Sequence, residues 1–572
     1  MYVKHALAGV LIAGLYISSA WSQTPTVRET PQTVKHFQQT ITADELAAHL
    51  YFLASDFFEG RETTARGQKM AAWYLASEHK ALGLLPLGSD SSSTPNGLHA
   101  YMQPYPLIEQ RTQGSQLTVY LNNKPLAQST FSADSLDGLS YLRIAGAEQI
   151  NSPVIFAGFG IAAASYDDYA ALEKANVSID GKWVLMLDGE PTDATGKSLI
   201  TGTKEKSAWS TQWWQKYITA LRHGKPAGIL IISGVQNDRT SFTQKARKYA
   251  QALKGVGRLS LPDSKRPNRP RPPLFYLSSH LADALLAPVN QSSKALYQHI
   301  VSQQDPFVFA LPESLKVHSH ITTETREVQA ENVVAYIEGS DPLLKDEAVV
   351  LSAHFDHVGM DPTLEGDPIF NGADDDGSGT VTLLEIAEAF QEAVKAGYRP
   401  RRSIVFLHVS GEEKGLLGSR YYTDFAPRWP LEKTVTNLNI DMIGRYDPSH
   451  PTNSKNYVYI IGSRLISEEL HQIAEEVNKL TDINLQLDER FNDKNDPNRF
   501  YRRSDHWNFG KHQIPFIFFF TGTHEDYHRP GDEPHKIDYE RMARIGRLIF
   551  GIAWQVANQD HAPPVTGTGF ND

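Results

Sequence analysis

Hydrophobic and polar positions divide this chain into three textures. Near the start, Leu46, Leu50 and Leu53 recur at helical spacing behind Thr42, Ala43, Asp44 and Glu45, which read as a capping box. A second helix is predicted over about 68–82, with Met70, Trp73, Tyr74 and Leu75 toward a core and Gly83 as its stop. The stretch 88–97, rich in Ser, Asp and Pro, predicts a loop, and a strand-like segment with a turn at Asn122 and Asn123 follows. From about 115 to 325 the texture is one of short apolar strands between turns, at 154–156, 183–187 and 228–232, with one helix around 213–223. This predicts an inserted β-rich module. From Asn332 onward, strands at 332–337, 348–352, 403–409, 435–440 and 514–520 alternate with helices at about 380–396, 467–480 and 539–559. Their Val, Ile, Leu and Phe runs do not alternate with polar residues, which suits strands buried on both faces and joined by crossover helices. The class is therefore α/β, a mixed and largely parallel sheet sandwiched by helices.

Composition narrows this little. At 572 residues the chain exceeds one ordinary core, and 41% apolar with 21% charged residues excludes disorder, collagen and a multispan membrane protein. A net charge of −11 disfavours a nucleic-acid partner. The first residues differ in kind: Lys4 and His5 precede an apolar run from Ala6 to Ile17, then Ser18, Ser19, Ala20, Trp21 and Ser22. This reads as a secretory signal cleaved before Gln23. The alternative is an uncleaved anchor, although the run falls short of the roughly 20 residues that span a bilayer. The expected division is 1–22 signal peptide, 23–114 and 326–560 the two parts of the main domain, 115–325 the insertion and 561–572 a tail, with no membrane span in the mature chain. Export implies a periplasmic or secreted protein. Within the insertion, Lys265, Arg266, Arg269 and Arg271 stand among four prolines, a basic loop read as a solvated linker rather than a contact for anionic polymer.

The absence of cysteine changes the candidate chemistry, because any metal must then be held by His, Asp and Glu. Open α/β sheets gather their functional groups beyond the carboxyl ends of their strands. Here those ends run into Ala353, His354, Phe355, Asp356 and His357; into Gly411, Glu412 and Glu413; into Asp441; and into the stretch from Thr521 to His528, with Asp374, Asp375 and Asp376 opening a helix between the first two. So many carboxylates on one rim would repel each other unless cations balanced them, and two divalent metals would do so. Zinc suits this donor set, and manganese or cobalt could occupy similar sites.

The strings SAHFDH, NGADDDGSG, SGEEKGLLGSR, NIDMIG and EDYHRPGD, in that order, resemble metallopeptidase family 28, as does LASDFFEGR from Leu53 to Arg61. The resemblance covers roughly 42–88 and 332–555 and implies a zinc-exopeptidase fold. The insertion is similar in texture and placement to a protease-associated domain. By resemblance, two zinc ions are held by His354, Asp375, Glu413, Asp441 and His528, with Asp375 shared between them. One split puts His354 with Glu413 and Asp441 with His528; another puts His354 with Asp441 and Glu413 with His528. Glu412 is implied as general base to a zinc-activated water, and Asp356 as the carboxylate that orients His354. Tyr501 has a spacing similar to that of a tyrosine that donates to the oxyanion in some members. His357 and His524 are read as structural. The implied activity is removal of amino-terminal residues from peptide substrates. Carboxypeptidase or dipeptidase, glutaminyl cyclase and a non-catalytic receptor-like protein are the alternatives, and oligomeric state is left open.

Overall fold

The computed structural model describes residues 31–88, 97–233, 239–262, 271–361, 364, 366–450 and 455–570. The expected signal peptide, most of the 88–97 loop and most of the basic segment near Lys265 lie outside the described residues. Among those described, no helix is long and apolar enough to cross a membrane.

The site rests on a mixed sheet. Its centre is parallel: the strand Ala348–His354 lies between Ser403–Val409 and Thr434–Ile440, and Thr434–Ile440 pairs in parallel with Phe516–Phe520. Tyr457–Ile461 runs antiparallel to Phe516–Phe520 on one flank, and the end of Leu315–Ile337 runs antiparallel to Ser403–Val409 on the other. The apolar runs without alternation have a simple cause. Neighbouring side chains of a strand point to opposite faces, so Val349, Leu351, Ile404 and Phe406 enter one core while Val350, Val405, Leu407 and Val409 enter another. Helices Ala43–Leu53, Arg66–Leu82, Gly379–Lys395 and Tyr539–Asn558 cover the first face. Thr42 caps the first of these by accepting from the Glu45 amide, and Asp538 caps the last by accepting from that of Arg541. Tyr457–Ile461 and its parallel neighbour Gln486–Asp488 were not expected from the sequence pattern.

A long antiparallel ribbon, Met102–Leu121 against Leu315–Ile337, links this body to a second core built from residues 117–321. The latter is not β-rich in the sense expected. Gln149–Ala157, Trp183–Leu187, Gly228–Ile232 and Leu274–Leu277 pair in parallel, and parallel pairing requires crossovers. Helices Trp213–His223, Arg239–Ala252 and Ser279–Leu286 lie among these strands. Arg239–Ala252 escaped the pattern because its buried apolar positions reduce to Phe242, Ala246 and Ala250, too narrow a stripe among Lys, Arg and Gln.

His79 of Arg66–Leu82 and His408 of the neighbouring strand are fully buried, with ring centroids 5.0 Å apart and no hydrogen-bond partner on any ring nitrogen among the described residues. Burial lowers His79 to about 3 and holds His408 well below its ordinary value, where the repulsion of a protonated His79 would lower it further. Both are neutral in the folded protein, whereas an unfolded imidazole titrates near pH 6.5. Above that value the pair contributes no pH dependence; below it the unfolded chain takes up protons the folded chain refuses. Stability is therefore expected to fall by about 3 kcal/mol per pH unit as pH drops from 6.5 toward 3. Urea denaturation at pH 7 and pH 5 measures this, and the double variant His79→Leu/His408→Leu should flatten the slope. An unchanged slope in that variant would remove the pair from the acid response.

Candidate metal centre

Each strand end delivers one part of the site. His354 closes its strand, and the imidazole is fixed by Nδ1, which donates to the carbonyl of Asp356 at 3.0 Å. Nε2 is thereby left as the lone-pair nitrogen, and it faces Asp375 Oδ1 at 3.3 Å, Asp441 Oδ1 at 3.7 Å and Glu412 Oε2 at 4.0 Å. The Asp356 carboxylate, expected to orient this ring, instead lies 3.7 Å from Nδ1. It accepts from the Glu412 amide at 3.2 Å and from Thr63 at 2.6 Å, so it positions Glu412 while its carbonyl positions His354.

Asp375 stands between two groups of donors. Oδ1 faces His354, whereas Oδ2 lies 3.0 Å from His528 Nε2 and 3.8 Å from His357 Nδ1. Glu413 Oε1 completes the second group, 2.9 Å from His357 Nδ1 and 3.1 Å from His528 Nε2. Each group, His354 with Glu412 and Asp441, and His357 with Asp375, Glu413 and His528, keeps its donor atoms within 4.8 Å of one another. Of the two splits left open by the sequence, the structure groups His354 with Asp441 and Glu413 with His528.

The backbone between these residues is held by buried acids. Asp376 accepts from the amides of His354, Gly379 and Met442, tying together the first and third strand ends. Gly379 must be glycine, since a Cβ there would lie 2.4 Å from Asp376 Oδ1 and 2.5 Å from the Ile440 carbonyl. Asp532 accepts from the amides of Asp374 and Asp375, and Asp374 pairs with His524 at 3.2 Å. A buried chain runs from Ser352 through Asn439 to Ser504, which donates to Asp441 Oδ2 at 2.6 Å.

Arg61, from the string near the chain start, is fully buried and acts as a clamp. It donates to the carbonyls of Phe355 (2.8 Å), Leu53 (3.0 Å), Asn371 (2.7 Å) and Gly372 (2.8 Å). Three of these carbonyls belong to the loops that follow His354 and precede Asp375, and the fourth, that of Leu53, ends the helix Ala43–Leu53. Arg61→Met is expected to lower folding stability by at least about 3 kcal/mol, because four buried carbonyls lose their donors. Chemical denaturation checks this, and a cost below about 1 kcal/mol would reject the clamp.

Electrostatics follow from the crowding. Burial alone would lower His354, but Asp441, Glu412, Asp356 and Asp375 outweigh it and hold the ring well above its ordinary value. Burial also works against ionisation of Asp375, yet His354, His528 and His357 hold it well below the usual carboxylate range. Burial, together with Glu413, Asp505 and Asp441, pushes Glu412 well above the usual range against the pull of His354. The polar atoms also fit a cation: His528 Nε2, Glu413 Oε1 and both ring nitrogens of His357 are buried without a directed hydrogen bond among the described residues.

Tyr501 is not brought to this centre. It is buried in an aromatic cluster with Phe500, Phe516 and Phe518, and its hydroxyl donates to the Gly569 carbonyl at 3.1 Å. The phenol that does stand near is Tyr527, stacked on His528 with ring centroids 4.0 Å apart. Burial, then the charges of Asp375, Glu413 and Glu412, raise it far above its ordinary value, and Arg503 Nη2 lies 3.2 Å from its hydroxyl. Its place beside His528 in the sequence was the available signal. His524 lies outside both donor groups, with Nε2 3.2 Å from Asp374.

Residues 332–553, which carry all the clustered His and carboxylate donors, match the family model described as Peptidase family M28. Aminopeptidase YwaD of Bacillus subtilis is 28% identical over 38% of this chain and 43% of its own length. A probable glutamate carboxypeptidase AMP1 of Arabidopsis thaliana is 28% identical over 48% of this chain and 35% of its own length. The chain thus spans less than half of either relative. The solved aminopeptidase from Aneurinibacillus sp. strain AM-1 is 14% identical, with a TM-score of 0.49, over 93% of this chain and 99% of that one. What the comparisons establish is thus a match to peptidase family M28 over residues 332–553, the stretch that gathers the His and carboxylate cluster.

Proposed function

We propose that this protein is an exported zinc-dependent exopeptidase that removes amino-terminal residues from peptides. The carrying observation is Asp375, whose two oxygens face separate donor groups, His354 with Asp441 and His528 with Glu413. A carboxylate so placed suits two cations sharing one ligand, about 3.5 to 4 Å apart in two-metal hydrolases. Two zinc ions are accordingly assigned to His354, Asp375 and Asp441 on one side and Asp375, Glu413 and His528 on the other. Zinc, when bound, supplies Lewis acidity that polarises a carbonyl and brings the pKa of water toward 7.

The chain's own residues divide the remaining work. Asp356 holds the Glu412 amide, so the Glu412 carboxylate stays on the His354 side of the site, while Glu413 faces His528. In that position Glu412 takes the proton of the attacking water and hands it to the leaving amine. Tyr527, stacked on His528, is assigned in place of Tyr501 as the phenol that donates to a developing oxyanion. The apolar run at Ala6–Ile17 and the small residues after it support export. The insertion between 115 and 325 is assigned as a protease-associated-like domain from its place between the two halves of the catalytic body.

A second reading, carboxypeptidase, is favoured by Arg503, an exposed cation beside Tyr527 that suits a substrate carboxylate. Aminoacyl and amino-blocked peptides assayed with zinc separate the two. Cleavage of free-amine peptides alone supports the aminopeptidase; cleavage of blocked peptides with a free carboxylate rejects it for the second reading.

A further inference from the structure

His357 was read from sequence as structural, yet it is placed as a member of the second donor group. The ring is fully buried, and its Nδ1 lies 2.9 Å from Glu413 Oε1 and 3.8 Å from Asp375 Oδ2. Despite that closeness, neither ring nitrogen has a hydrogen bond of acceptable direction among the described residues. A buried imidazole that faces two carboxylates without donating to either has its lone pair, rather than its N–H, available at the centre. The ring is also held in place from behind. A Cβ on Gly372 would lie 2.5 Å from its Cδ2, and the His357 amide donates to the Arg61 carbonyl at 3.2 Å. The His528 ring meets it at 72°, with centroids 5.6 Å apart, so two imidazoles converge on one point from different directions.

Ligand atoms about 2.0–2.1 Å from a tetrahedral zinc lie about 3.3 Å apart. The contacts of 2.9, 3.0, 3.1 and 3.8 Å among His357, Asp375, Glu413 and His528 scatter around that spacing. We infer that His357 is a fourth protein donor, through Nδ1, to the metal centre formed by Asp375, Glu413 and His528. The inference rests on the two-metal reading above and makes the two centres unequal. Four protein donors close one centre in the manner of retained metal sites, while His354, Asp441 and the shared Asp375 leave a position open beside Glu412.

Titration of metal-free protein with Co2+ tests this, with stoichiometry, affinity and the visible absorption bands recorded for wild type and His357→Gln. The expected result is two sites in the wild type, and in the variant one site weakened at least about 10-fold with an altered band. Absence of cobalt binding in the wild type would overturn the two-metal reading and this inference with it. Two sites in the wild type with an unchanged variant would overturn the inference alone. So would weaker binding with an unaltered band, because that is the signature of a group orienting Glu413 from outside the coordination sphere. If His357→Gln fails to fold, a crystal structure of zinc-loaded wild type decides: Nδ1 about 2.0–2.1 Å from zinc supports coordination, and Nδ1 donating to Glu413 beyond bonding distance rejects it.

Discussion

Glu412→Gln is expected to lower kcat/KM by about 100-fold or more while zinc content stays at the wild-type level. The substitution keeps the size of the side chain and removes its capacity to accept a proton, and positioned acid–base groups contribute about 100- to 10,000-fold. Its backbone amide would remain on Asp356 Oδ1, so the loop that presents Glu413 toward His528 should not move. Peptide hydrolysis and metal analysis on the same preparation separate the possibilities. Turnover at the wild-type rate would remove Glu412 from the chemistry. Loss of zinc together with activity would instead place it among the ligands, since Oε2 lies 4.0 Å from His354 Nε2.

Asp375→Ala is expected to be as damaging by a different route: bound zinc should drop below the wild-type stoichiometry and hydrolysis should be lost with it. This side chain contacts both donor groups, with Oδ1 on His354 and Oδ2 on His528. Without it, each group loses one anionic donor. The amide that donates to Asp532 is retained in alanine, so the main-chain anchor of the loop survives the change. Metal analysis after dialysis against a weak chelator provides the measurement, and wild-type stoichiometry in the variant would exclude a shared carboxylate. Comparison with Asp441→Ala sharpens the result, because Asp441 belongs to the His354 group alone.

The sequence by itself determined the main strands of the α/β sheet and the rim on which His354, Asp375, Glu412, Glu413, Asp441 and His528 meet. The physical reason is that a strand buried on both faces must be apolar throughout, and Val349 to Leu351 and Ile404 to Val409 supply cores on opposite sides of the sheet. The end of such a run is then where polar side chains first become tolerable. The helices of the second core were less legible, because Phe242, Ala246 and Ala250 form a thin stripe whose burial depends on strands far away in the chain.

Only the tertiary structure decided which donors share a centre, what Arg61 does and where the tyrosines go. The family resemblance implies a place for Tyr501 at the site, but packing against Phe516 and a bond to Gly569 bury it elsewhere, while Tyr527 follows His528 to the donors. Likewise, His357 stands three residues after His354 in the chain, yet the turn between them sends the two rings to opposite sides of Asp375. Strand periodicity is a local property readable from the chain. The direction of a side chain beyond the strand's end is set by contacts with residues hundreds of positions away, as with Arg61 on Gly372 and Thr63 on Asp356.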